Sequence, residues 1–294
     1  MSKDKHDKEI DGPTGVETTG HEWDGLKELN NPAPRWWLIV WLVTIVWAIG
    51  YWVVYPAWPT PGGHTKGVAG WTQYGKLKRE QAEITKRQST WLTKFHAASF
   101  EQVKADKGLY EFARAGGEVA FKENCAACHG AGGEGRKGYP NLNDDDWLFG
   151  GKVEDIYHTI KVGSRSSHPE THQAMMPAFG RDGILDAAQI DDVATYVMAL
   201  PQGATAPRAD AFVRGEAVYA ANCVTCHGDG GIGNRELGAP RLNDAIWLYG
   251  GDKASIIQTV TSARAGVMPT WENRLDDDTR RQLAIYVHSL GGGE

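Results

Sequence analysis

Only four cysteines occur in the 294 residues, and all lie in two short stretches. These read Cys125-Ala126-Ala127-Cys128-His129-Gly130 and Cys223-Val224-Thr225-Cys226-His227-Gly228. No thiol is left unassigned, which fits an oxidising compartment. Methionine is nearly as scarce, with five residues of which one is the first. Basic charge is also short: 31 Lys and Arg stand against 37 Asp and Glu, a net charge of -6. Residues 108–201 carry 8 basic and 14 acidic groups, and residues 207–294 carry 9 and 11. A nucleic-acid partner would want a basic surface, so that class is excluded. The acidic balance suits docking to a basic partner face, and it equally suits ordinary solubilising charge. Between Trp36 and Tyr55 charge and proline vanish altogether.

C-x-x-C-H is the covalent attachment signal for a c-type haem. Residues three apart share one face of a helical turn. Two thiols so placed can each add to a porphyrin vinyl group, and the following His brings its imidazole to the iron. A disulfide, a redox C-x-x-C or half of a zinc site would use the same cysteines. A redox pair requires no His directly after the second Cys. A four-Cys zinc site would join the two stretches, yet each carries its own His. The expected cofactors are therefore two covalently bound haem c groups, tethered by Cys125 and Cys128 and by Cys223 and Cys226.

The uncharged run Trp36–Tyr55 is 20 residues long. A helix of that length spans ~30 Å, the thickness of the hydrocarbon core. Trp36 and Trp37 at one end, and Tyr51, Trp52, Tyr55 and Trp58 at the other, read as interface anchors. The run starts too late and is too long for a cleaved leader, so an uncleaved membrane anchor is expected. Lys27, Arg35 and Lys66 near its ends give no clear positive-inside signal. Orientation follows instead from haem attachment, which takes place outside the cytoplasmic membrane in bacteria. The N-terminus is then cytoplasmic.

Residues 1–30 are polar and expected to be loosely ordered. Residues 56–70, rich in proline and glycine, read as a linker. Residues 73–106 read as a helix in which Leu77, Ile84, Trp91, Leu92 and Phe95 fall near one face among many basic residues. Such a helix suits anionic lipid, a partner subunit or its own domain equally.

The two C-x-x-C-H stretches belong to a longer repeat. Gly117 and Gly215 each stand eight residues before the first Cys, and Phe121 and Tyr219 each stand four before it. Pro140-Asn141-Leu142 faces Pro240-Arg241-Leu242, and Trp147-Leu148-Phe149-Gly150-Gly151 faces Trp247-Leu248-Tyr249-Gly250-Gly251. Met176-Pro177 and Met268-Pro269 follow, and each copy closes with an apolar-periodic helix, 190–200 and 281–290. The expected organisation is an N-terminal segment 1–35, an anchor 36–55, a linker with an amphipathic helix 56–107, and haem domains 108–201 and 207–294. Pro201–Pro207 is a short linker between the copies. A unit of about 90 residues has a thin core of its own, which a buried porphyrin would fill.

Thioether opposite imidazole is a common iron ligand pair and raises the reduction potential. Met268 is the only methionine after the second motif. In the first copy Met175, Met176 and Met198 compete, and Met176 aligns with Met268. The expected iron ligands are His129 with Met176 and His227 with Met268. His158, His168, His172 and His288 lack counterparts in the other copy and read as loop or surface residues. Arg165, Arg241 and Arg264 are candidate partners of haem propionates.

Asp24-Gly25-Leu26-Lys27-Glu28-Leu29-Asn30-Asn31-Pro32-Ala33-Pro34-Arg35-Trp36-Trp37, then one membrane helix and two haem repeats, resembles the dihaem subunit III of cbb3-type cytochrome c oxidases. The resemblance runs from about residue 20 to 290. It implies an all-α fold, with one N-terminal transmembrane helix followed by two tandem class I cytochrome c domains. It also implies a bacterial inner-membrane protein with periplasmic haem domains. Electrons would arrive from a soluble or membrane-bound donor cytochrome c. They would leave through the monohaem subunit to the catalytic haem-copper subunit of a proton-pumping oxidase. This chain would have no catalytic site of its own. The competing readings are a dihaem cytochrome serving another oxidoreductase and a dihaem peroxidase-type enzyme. A peroxidase would need one iron with an open position, against which Met176 and Met268 both argue.

Overall fold

The segment ahead of the apolar run is folded, not loose. Strands β1 (Thr18–Trp23) and β2 (Leu26–Leu29) form an antiparallel hairpin with Trp23 opposite Leu26 and Thr18 opposite Leu29. Asp24 and Gly25 both have positive φ, 50° and 84°. That pair makes a two-residue turn whose twist matches the strands, and Asp-Gly is a favoured sequence for it. The expectation of loose order fails over these strands because a local turn signal outweighed polar composition. The structure, a computed structural model, describes residues 9–205 and 209–294, so the start of that expectation, residues 1–8, lies outside the described residues.

The chain divides into two compact units, Met1–Arg87 and Gln88–Glu294. In the first, helix α1 (Arg35–Val54) follows Pro34, and none of its residues is buried. It is the one helix among the described residues long and apolar enough to cross a membrane. Its aromatic end is ordered, with Trp47 stacked on Tyr51 at 5.5 Å and Tyr51 on Tyr55 at 4.8 Å. The expected linker beyond it holds a small hairpin, β3 (Pro59–Thr60) with β4 (Gly63–His64).

The helix expected over 73–106 is two helices, α2 (Gln73–Ala97) and α3 (Phe100–Ala105). Ser99 divides them. Its side chain accepts from the Gln102 backbone N–H, and the Gln102 side chain accepts from the Ser99 N–H, a reciprocal cap that starts a new helix. Phe95 of α2 and Val103 of α3 are fully buried in the second unit.

That unit continues with α4 (Lys107–Asn124), the single turn α5 (Ala126–His129), α6 (Val153–Val162) and α7 (Ala187–Ala199). The second copy supplies α8 (Asp210–Asn222), the turn α9 (Val224–His227), α10 (Lys253–Ser262) and α11 (Asp277–His288). Between them, residues 206–208 of the expected inter-copy linker lie outside the described residues. Fold class is as expected, mostly helical with two cytochrome-like copies in series.

The cores, however, do not follow the copies. One cluster joins Phe121 of α4 and Ile156 of α6 to Leu283, Ile285 and Tyr286 of α11. The other joins Tyr219 of α8 and Ile256 of α10 to Val193, Tyr196 and Val197 of α7. Each copy therefore sends its closing helix into the other copy's core. Matching aromatic pairs mark both contacts: Phe121 with Tyr286 at 5.3 Å, and Tyr219 with Tyr196 at 5.1 Å. Arg214 of α8 grips Asp192 of α7 with two bonds of 2.7 and 2.8 Å. The physical reason lies in the repeat itself. Equivalent helices carry equivalent faces, so either closing helix satisfies either core. Helices α7 and α8 are neighbours in sequence, and bringing them together closes a short loop at low entropic cost.

Candidate functional site

The turns α5 and α9 present the two C-x-x-C-H stretches in the same way. Cys125 and Cys223 are half-buried, Cys128 and Cys226 exposed, and all four thiols are free. Burial first, and then the neighbouring thiol, pushes Cys125 and Cys223 up to about 11.

The two histidines are set by the matched Pro-x-Leu turns. His129 Nδ1 lies 3.0 Å from the Pro140 carbonyl, and His227 Nδ1 lies 3.0 Å from the Pro240 carbonyl. A carbonyl only accepts, so Nδ1 donates and Nε2 keeps its lone pair. Burial lowers the pKa of both rings, which favours neutral imidazole. A neutral imidazole oriented through its other nitrogen is the usual form of a metal-ligating histidine. The sequence carried this signal in the repeated prolines, but not the role of their carbonyls.

A cavity of about 540 Å³ opens beside the second motif. Cys223, Cys226 and His227 line it, with apolar walls from Val193, Val197, Trp247, Ile256 and Val260. Met176 lines the same cavity, although it belongs to the first copy. Met268 lies in the opposite place: it packs on the core that holds Cys125 and Phe121. The structure thus brings His227 together with Met176 and sets Met268 with the first motif. The sequence reading paired His129 with Met176 and His227 with Met268. The difference follows from the exchange of closing helices, because each methionine loop travels with the helix that succeeds it.

These residues fit a covalently held haem c. The cavity offers two thiols three residues apart, an imidazole nitrogen left free and a thioether, within apolar walls. Its volume lies within the range of ligand pockets, about 300–1,000 Å³.

The remaining candidates sort by their contacts. Met175 is exposed at 73 %, and Met198 is exposed on α7. His168 bonds the Glu272 carboxylate at 2.8 Å, and His288 bonds the Glu294 carbonyl at 2.9 Å. His172 stacks on Phe149 at 3.8 Å, with His158 edge-on to it. Arg264 holds Ser255 and Thr259 and covers the Tyr249 ring. Arg165 donates Nε to the Gly266 carbonyl at 2.5 Å and Nη1 to the Ala174 carbonyl at 2.8 Å. Those carbonyls stand two residues before Met268 and Met176, so one guanidinium ties both methionine loops. Repeat comparison could not find this role, because the link is made between copies. Asp146 also lines the cavity, and burial, then Asp244 and Asp144, push its carboxyl up to about 6.

Three family models match the chain. Residues 15–61 match the N-terminal domain of cytochrome oxidase-cbb3, FixP. Residues 113–201 match the cytochrome c family, and residues 210–287 match cytochrome c oxidase, cbb3-type, subunit III. A cbb3-type cytochrome c oxidase subunit FixP of Bradyrhizobium diazoefficiens is 52 % identical over 97 % of this chain and 98 % of its own length. A subunit CcoP of Azospirillum brasilense is 51 % identical over 98 % and 99 %. One from Cereibacter sphaeroides is 45 % identical over 94 % and 95 %.

Proposed function

This chain belongs to the subunit III family of cbb3-type cytochrome c oxidases, and from that premise we propose that it is the dihaem electron-entry subunit of such an oxidase. As a cytochrome c subunit it works with the other oxidase subunits in the inner membrane. It accepts electrons from a periplasmic donor cytochrome c and passes them to the monohaem subunit and then to the haem-copper subunit. Helix α1 spans the bilayer once, with the N-terminus cytoplasmic and both haem sites periplasmic.

Cys125 and Cys128 would tether one haem c, and Cys223 and Cys226 the other. Haem c supplies one-electron chemistry when bound. His129 and Met268 would hold the iron of the haem at the first motif, and His227 and Met176 that of the haem at the second. With a thioether and an imidazole on each iron no position would remain for a substrate, which suits a chain that relays electrons. The observation that carries this reading is the cavity shared by Cys223, Cys226, His227 and Met176, with His227 held through Nδ1 by the Pro240 carbonyl.

Purification of the full chain in mild detergent tests the proposal. The expected preparation contains a haem-copper oxidase subunit and a second c-type cytochrome, and the mass of this chain exceeds that of the polypeptide by two haem groups. A chain that purifies alone, or that carries fewer than two covalent haems, would sink it.

A further inference from the structure

Ser164 follows α6 and is buried, only 6 % exposed, yet its hydroxyl has no hydrogen-bond partner among the described residues. Buried hydroxyls are nearly always paired, so an orphan one calls for an acceptor. The backbone places Met268 across from it. Ser164 N–H donates to the Met268 carbonyl at 3.0 Å, and Met268 N–H donates to the Ser164 carbonyl at 3.0 Å. The two residues form an antiparallel bridge. In such a pair both side chains project from the same side of the ladder, with Cβ atoms roughly 4.5–5.5 Å apart. On its other flank Ser164 is bridged to His172, and Arg165 N–H donates to the His172 carbonyl at 2.8 Å. Ser164 is therefore held from two sides, opposite Met268.

A thioether sulfur is a weak hydrogen-bond acceptor. Bound to iron through one lone pair, it keeps a second. We propose that the Ser164 hydroxyl donates a hydrogen bond to the Met268 sulfur and thereby raises the reduction potential of the haem at the first motif. The inference rests on the reading of Met268 as that haem's ligand. The donated bond draws electron density from the sulfur, which then stabilises ferric iron less. Hydrogen bonds from outside the ligand set are a recognised means of tuning such centres. The repeat places Arg264 at the equivalent position, and its guanidinium is bound to Ser255 and Thr259. The device thus belongs to one haem alone and sets the two haems apart in potential.

The test uses the whole oxidase in mild detergent, with Ser164→Ala and Ser164→Thr chains. Redox titration follows the haem whose ferric sulfur-to-iron charge-transfer band disappears in Met268→Ala. Ser164→Ala should keep both haems and that band, and lower that haem's potential alone. The ferric-to-ferrous ratio at fixed potential should rise severalfold, up to tenfold, which corresponds to ~59 mV for a one-electron couple. Ser164→Thr, which keeps the hydroxyl, should hold the wild-type value. An unchanged potential in Ser164→Ala, or equal shifts in both variants, would overturn the inference while leaving the ligand reading in place. If Met268→Ala removes no such band, the ligand reading itself has failed.

Discussion

Gly117 of α4 lies directly against Gln282 of α11, so close that a Cβ on Gly117 would overlap the Gln282 carbonyl and sit 2.7 Å from the Tyr286 Cβ. Gly215 of α8 stands in the same relation to Asp192 of α7. Two helices can cross this closely only where one lacks a side chain. Both crossings join an opening helix of one copy to the closing helix of the other.

Gly117→Ala should therefore destabilise the protein. The added methyl meets rigid backbone, and overpacking typically costs about 1–3 kcal/mol. Better helix propensity returns about 1 kcal/mol of that. Gly116 provides the control, because a Cβ there meets only the end of the Gln282 side chain, which can swing away. Thermal unfolding should show a lowered midpoint for Gly117→Ala and little loss, or a small gain, for Gly116→Ala. Equal behaviour of the two would mean that α4 and α11 do not cross here.

The exchange of helices makes a second prediction through the aromatic pairs. Phe121 touches Tyr286, and Tyr196 touches Tyr219. Had each copy closed on itself, Phe121 would face Tyr196 instead. Double-mutant cycles with leucine substitutions separate the cases. Phe121 and Tyr286 should couple by about 0.5–1.5 kcal/mol. Phe121 and Tyr196 should add to within about 0.5 kcal/mol, as distant sites do. Coupling in the second cycle and not the first would reverse the assignment of helices to cores.

Asp146 sets a pH dependence. Its carboxyl is raised from 3.8 to about 6, mainly by burial and then by Asp244 and Asp144, with Arg241 opposing. Between those values the folded chain keeps a proton that the unfolded chain has released. Stability contributed by this group is therefore lost as pH rises through that window. Asp146→Asn should flatten the dependence there and unfold at a higher temperature near neutral pH. Midpoints measured from about pH 4 to pH 7 check it; parallel curves for the two proteins would show that Asp146 does not titrate in this range.

Much of the site was legible because its chemistry is local. C-x-x-C-H fits within one helical turn, and Trp36–Tyr55 declares itself by what it lacks. The hairpin at Asp24-Gly25 had its turn signal in the sequence, but its polar strands hid it. Pairing between copies was not legible. Tyr196 and Tyr286 occupy equivalent places, as do Phe121 and Tyr219, so composition and periodicity are the same whichever pair forms. Only tertiary packing distinguishes them. The tie from Arg165 to Gly266 and the bridge from Ser164 to Met268 stayed unread for the same reason, since these partners lie about a hundred residues away.

The ligand exchange is open to a direct spectroscopic decision. A chain with Cys223→Ala and Cys226→Ala should hold haem at the first motif only, so that every signal belongs to it. In that background Met268→Ala should abolish the sulfur-to-iron charge-transfer band and lower the potential, because the thioether stabilises ferrous iron. It should also open the iron to carbon monoxide. Met176→Ala should leave the band intact, since Met176 lines the cavity beside the second motif with His227. The reciprocal chain, with Cys125→Ala and Cys128→Ala, should show the opposite dependence. Loss of one haem removes part of one core, so haem content and helicity must be checked before either spectrum is read. If Met176→Ala removes the band from the first-motif haem, the ligands pair within copies and the exchange is wrong. If neither substitution does, the sulfur ligand lies elsewhere, and Met175 and Met198 become the residues to replace next.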